Sequence, residues 1–113
     1  MADYSAVNRS AVITGASAQV DRIFLSGSTS GKILEILNVS GGARLSAITD
    51  GTAAAQDAAE NLCVPAVAGS FVRLQATAAK TTGGGQIFVS VICSGTTTYQ
   101  VSLVQAEFNT RGL

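Results

Sequence analysis

The chain has no histidine and no tryptophan, and charged residues fill only 12% of its 113 positions. Each scarcity excludes something. Without histidine the commonest general base and the commonest zinc ligand are missing. A soluble domain usually carries roughly 25% charged residues. Half that share repels neighbouring molecules weakly and suits a surface that lives against other subunits. Lys+Arg and Asp+Glu balance at 7 each, so there is no basic excess with which to neutralise phosphates, and nucleic acid is not an expected partner. No apolar run approaches the ~18 residues of a membrane span. The opening MADYSAVNRSAV lacks the basic stretch and apolar stretch of a secretory signal. A protein made in a reducing cytoplasm, with no membrane partner, is the expectation. Its two cysteines, Cys63 and Cys93, then read most simply as small buried apolar side chains, with a disulfide as the other option.

What is present is apolar residue in quantity. Hydrophobic residues make up 47%, enough for one core without metal or cross-links. They fall in short runs separated by turn residues: Ala11 to Thr14, Val20 to Leu25, Lys32 to Val39, Ala43 to Thr49, Ser70 to Thr77, Gln86 to Cys93 and Thr98 to Ala106. Alternation within a run places successive side chains on opposite faces. Val72, Leu74 and Ala76 share one face, with Arg73, Gln75 and Thr77 on the other. Ile87, Val89, Val91 and Cys93 line up likewise. The pattern predicts seven or eight strands and an all-β fold: an antiparallel β-sandwich, with a jelly roll as its candidate form. Residues 11–106 make the domain, residues 1–10 an N-terminal arm and residues 107–113 a C-terminal tail. Thr52 to Asn61, rich in alanine, is compatible with a short helix or a surface loop.

Two runs are apolar on both faces. Lys32 to Val39 offers Ile33, Leu37 and Val39 on one side and Leu34 and Ile36 on the other; Gln86 to Cys93 adds Phe88 and Ile92 to its second side. An exposed sheet face should be polar, so each second face calls for a covering segment or a subunit interface. The interface is preferred here.

The motifs that suggest chemistry fail on inspection. SGSTSGK, Ser26 to Lys32, approaches a phosphate loop, but that loop needs four residues between its glycines, a Ser or Thr after the lysine, and a helix. Gly27 and Gly31 have three between them, Ile33 follows Lys32, and the next stretch reads as strand. VITGAS, Val12 to Ser17, lacks the further glycines of a dinucleotide fingerprint. Serine nucleophiles have no histidine to activate them, and Lys32 and Lys80 sit in turn sequences. No pair among the seven acidic residues stands out, and Asp50 and Asp57 are too few for a calcium site. Asp50-Gly51 is a turn signature. No enzyme, cofactor or metal is expected. For carbohydrate binding the aromatics are few: Phe24, Phe71 and Phe88 are assigned to the core, leaving Tyr4, Tyr99 and Phe108.

One stretch carries a family resemblance. In Lys32 to Ala78 an apolar strand ends at Asn38, a turn follows at Gly41-Gly42, and a strand closes at Asp50-Gly51. An Ala/Thr-rich loop, Val64-Pro65-Ala66, and a strand with Val72 and Leu74 complete it. This order resembles small β-rich structural proteins of tailed bacteriophages, of the capsid decoration or cement kind or the neck- and tail-associated kind. The resemblance implies a virion structural protein, binding itself or a major capsid protein and working as a homo-oligomer or on a lattice. Candidate contacts are Tyr4 and Arg9 in the arm, Phe108 in the tail, Ile33 and Leu37 on the second apolar face, and Arg22, Arg44 and Arg73 as polar anchors. A carbohydrate- or receptor-binding sandwich is the alternative.

Overall fold

The computed structural model describes residues 2–6, 10–15, 19–25, 32–56, 62–76, 79, 81 and 86–105. They form nine strands: β1 (Ala2–Ala6), β2 (Ser10–Gly15), β3 (Val20–Leu25), β4 (Lys32–Asn38), β5 (Leu45–Ile48), β6 (Leu62–Val64), β7 (Phe71–Gln75), β8 (Ile87–Cys93) and β9 (Thr97–Gln105). One sheet has the order β1-β3-β8-β5-β6 and the other β2-β9-β4-β7. Every neighbouring pair is antiparallel except β1 and β3. The parallel pair is possible because the chain leaves β1, crosses to the second sheet for β2, and returns as β3; a parallel connection cannot be made by a tight turn.

All seven expected runs are strands. Two strands were not expected. β1 lies within residues 1–10, where Ala2 pairs in register with Asp21 and Ala6 with Leu25, so that part of the expected arm runs along a sheet. β6 is the three-residue Leu62–Val64. The described part of the alanine-rich stretch, Thr52 to Gln56, contains no helix, and no helix among the described residues is long and apolar enough to cross a membrane. The strand at Lys32–Asn38 removes the helix a phosphate loop requires. Residues 107–113, with Phe108, and Arg9 fall outside the described residues.

The core lies between the sheets. Ile23 and Leu25 of β3, Leu45 and Ala47 of β5 and Ile87, Val89, Val91 and Cys93 of β8 meet Leu34 and Ile36 of β4 and Tyr99, Val101 and Leu103 of β9. Each of the larger side chains contributes roughly 1.5–3 kcal/mol of transfer free energy on burial. Buried polar residues share this layer, and two of them tie its parts together. Asp21 is fully buried and accepts a hydrogen bond of 2.7 Å from the Tyr99 hydroxyl and one of 3.2 Å from Gln19 Nε2. Since Asp21 is on β3 and Tyr99 on β9, the bond runs from one sheet to the other. A carboxyl without partners would not be tolerated there.

Asn38 is the second. Its Nδ2 donates to the carbonyls of Ala43 and Pro65, both at 2.9 Å, and its Oδ1 accepts from the Gly41 N–H at 2.7 Å. One amide thus ties the end of β4 to the approach of β5 and to the loop after β6. Gly41 has φ of 73°, and a Cβ there would stand 2.7 Å from the Ala68 nitrogen; only glycine fits. The residues Asn38, Gly41 and Pro65, separate landmarks in the sequence, are one hydrogen-bonded unit.

Candidate assembly surface

Alternation in β4 sends Leu34, Ile36 and Asn38 inward and leaves Ile33, Glu35 and Leu37 half-buried on the outside, with Val39 exposed beyond them. In the antiparallel register β7 lies beside it, with Phe71 opposite Leu37, Arg73 opposite Glu35 and Gln75 opposite Ile33. On the other flank Val104 of β9 stands opposite Ile33. The outer face of this sheet therefore carries Ile33, Leu37, Phe71 and Val104 together with the uncharged polar Gln75, Gln100 and Ser102, around the one ion pair seen among the described residues. Arg73 Nε meets Glu35 Oε2 at 2.7 Å, and its guanidinium carbon lies 4.5 Å from the centre of the Phe71 ring. The Arg73 side chain is 52% exposed and that of Glu35 14%; with its arginine open to solvent the pair contributes about 1 kcal/mol, and it leaves the face neutral. Phe71 is 49% exposed, Val39 44% and Val67 61%. Val67 belongs to the same end, since its carbonyl accepts from Ser70 N–H at 3.0 Å and Ser70 C=O accepts from Asn38 N–H at 2.8 Å.

Of the expected contacts, the structure brings Ile33, Leu37 and Arg73 together on this face. It separates the others. Arg22 is half-buried on the outside of the opposite sheet, opposite Ser90. Arg44 is exposed at the approach to β5, where its N–H donates to Ser94 Oγ at 2.9 Å. Tyr4 sits at the β1 position beside Ile23. Four aromatic assignments are overturned. Tyr99, counted as available to a ligand, is fully buried, and Phe71, assigned to the core, is exposed. Phase explains both: Tyr99 is in step with Val101 and Leu103, whereas Phe71 is in step with Arg73 and Gln75. Phe24 and Phe88, also assigned to the core, are half-buried on the outer side of β3 and β8, out of step with the buried Ile23, Leu25, Ile87 and Val89, and they pair with each other, ring centres 5.2 Å apart.

The second doubly apolar run, in β8, is treated differently. Ser90 on its outer side is fully buried, and its Oγ accepts a 3.0 Å hydrogen bond from the N–H of Ala54. Gln56 Nε2 reaches Ser46 Oγ of β5 at 3.4 Å. The segment after β5 lies over this face, so at Ser90 the covering is the chain itself rather than the subunit interface that was preferred. The segment is launched by the expected turn: Gly51 has φ of 93°, and Asp50 Oδ1 accepts from the Thr52 N–H at 2.9 Å and hydroxyl at 2.6 Å. The hydroxyl first, and then the N–H, hold the Asp50 carboxyl below its usual pKa.

No group of three or more Cys, Asp or Glu able to hold a metal ion occurs among the described residues. Neither Cys63 nor Cys93 is in a disulfide. The chain matches no protein-family model, and no curated protein or solved structure matches it.

Proposed function

We propose that the chain is a virion structural protein of the capsid decoration or cement kind, stabilising a shell through repeated contacts with itself or with a major capsid protein. The observation that carries this reading is the outer face of β4 and β7: a neutral surface in which Leu37, Val39 and Phe71 adjoin one internally satisfied ion pair. Such a face gains free energy from burial and meets little electrostatic resistance. The strand order supports the same reading. From β2 onward the sheets run β2-β9-β4-β7 and β3-β8-β5-β6, which we read as the interleaved double Greek key of a jelly roll, an architecture used by viral capsid and lectin domains. Fold alone does not decide between those uses. The site favours the structural one. Tyr99 is buried, which takes away one platform on which a sugar would stack, and the guanidinium of Arg73 already occupies one of the two faces of the Phe71 ring.

The test is a density gradient of lysate from the producing culture, with the chain quantified in each fraction by mass spectrometry. Co-sedimentation with intact particles in a fixed ratio to the major shell protein is expected. Recovery in soluble fractions alone would overturn the proposal.

A further inference from the structure

Among the described residues the four-stranded sheet ends at β7, and this edge has a specific polarity. Asn38 N–H donates to Ser70 C=O at 2.8 Å, which makes that register position a hydrogen-bonded one. In an antiparallel ladder such positions alternate, so Val72 and Leu74 direct their backbone groups toward β4. The N–H and C=O of Phe71, Arg73 and Gln75 then point away from the sheet. An open row of this kind is a template for another strand. The usual protections are missing from it: β7 has no proline, no lysine and one charged residue, Arg73, which Glu35 already neutralises. Behind the edge, Val72 and Leu74 pack against the core yet stay only partly buried. An added strand would finish covering them.

We infer that β7 pairs antiparallel with β7 of a second copy about a two-fold axis at Val72, joining two four-stranded sheets into one of eight. The choice of copy and register follows from the side chains. A two-fold at Arg73 would set Arg73 against itself, and like charges directly opposite are unfavourable. A two-fold at Val72 sets Arg73 of each copy opposite Phe71 of the other, twice over by symmetry. Each exposed ring then meets a second guanidinium, a favourable cation–π arrangement, and the backbone groups of Phe71 and Arg73 that face outward become hydrogen-bonded pairs. Val72 meets Val72 at the centre. With a formal net charge of zero, the two copies do not repel as wholes. This pairing deepens the assembly reading above by naming the partner and the strand, and it rests on that reading only for its use in a virion.

The experiment is sedimentation velocity of the full chain from low to high micromolar concentration, with two variants. A concentration-dependent dimer is expected. Phe71→Lys, at an exposed position, places lysine opposite arginine in both symmetric pairs and raises the dimer dissociation constant at least about tenfold, with an unchanged circular dichroism spectrum. Val72→Cys in a Cys63→Ser background forms an inter-chain disulfide on oxidation, because a non-hydrogen-bonded antiparallel pair holds its Cα atoms about 4.5 Å apart, within disulfide range. Leu74→Cys in the same background stays monomeric on a non-reducing gel. A chain that is monomeric at every concentration, a dimer indifferent to Phe71→Lys, or failure of Val72→Cys to cross-link would each overturn the pairing. The two proposals fail separately: a β7-paired dimer with no particle-bound pool sinks the virion role alone, and a monomeric chain that co-sediments with particles sinks the pairing alone.

Discussion

The two outer faces of the sandwich start from the same sequence pattern and end differently. On β8, Phe88, Ser90 and Ile92 face outward, and the segment carrying Ala54 closes over Ser90. On β4, Ile33, Glu35 and Leu37 face outward, and Val39 and Phe71 beside them remain exposed. The middle residue of each triad makes the difference. A serine hydroxyl is buried at little cost once a single backbone N–H donates to it. A glutamate carboxylate needs a charged partner before it can be covered; Glu35, with its side chain 14% exposed, has Arg73, itself 52% exposed. The polar residue inside an apolar outer face therefore decides how completely the chain can cover that face itself.

Exchanging those middle residues breaks the comparison, and the largest effect belongs to Ser90→Glu. The carboxylate would stand where Ser90 is now fully buried, and the loss expected in urea unfolding is about 3 kcal/mol or more. Displacement of the covering segment should appear as fast hydrogen exchange at Ala54. Unchanged stability would mean that the segment does not seal this face. Ser90→Ala is gentler. It orphans the Ala54 N–H without adding charge and should cost about 1–3 kcal/mol, again with faster exchange at Ala54. The reverse change on the open face, Glu35→Ser, removes only a surface ion pair, and a loss of at most about 1 kcal/mol is expected. A loss as large as that of Ser90→Glu would show that the β4 face is held together by its charges, contrary to the contrast drawn here.

Period-two alternation was enough to locate the core. It placed Ile87, Val89, Val91 and Cys93 inward, and Leu34 and Ile36 likewise, and all are buried. It was silent where alternation has nothing to work on. β1, ADYSA, is small and polar, and β6, LCV, is three residues long. The open face was half legible. Ile33 and Leu37 were readable from one strand, but the role of Phe71 needed its phase to outweigh the habit of assigning phenylalanine to the interior. The register that sets Arg73 against Glu35 joins residues 38 positions apart. Asp21 could not be recognised as a core residue at all, because the hydroxyl that satisfies it lies 78 positions away. A polar residue in an apolar stripe declares itself only with its partner, and partners come from topology.

The two cysteines sharpen the contrast between inside and outside with the smallest effect at neutral pH. Cys93 is on the inner side of β8, fully buried. Desolvation, and then the nearby Asp21 carboxylate, push its thiol from 9.0 up to about 12. Cys63 is the exposed residue of β6. In the folded protein at pH 8, iodoacetamide should modify Cys63 and leave Cys93 untouched until the chain unfolds, since the thiolate is the reactive form. The same shift has a sign in stability. Below pH 9 both folded and unfolded chains hold the Cys93 proton, and nothing is lost. Between pH 9 and about 12 the unfolded chain releases it and the folded chain does not, so stability falls by up to about 1.4 kcal/mol per pH unit. Cys93→Val has no proton to release and should lack this component of the alkaline decline. Alkylation of Cys93 in the native protein at a rate near that of Cys63 would place the thiol at a surface, and the inner face of β8 would have to be redrawn.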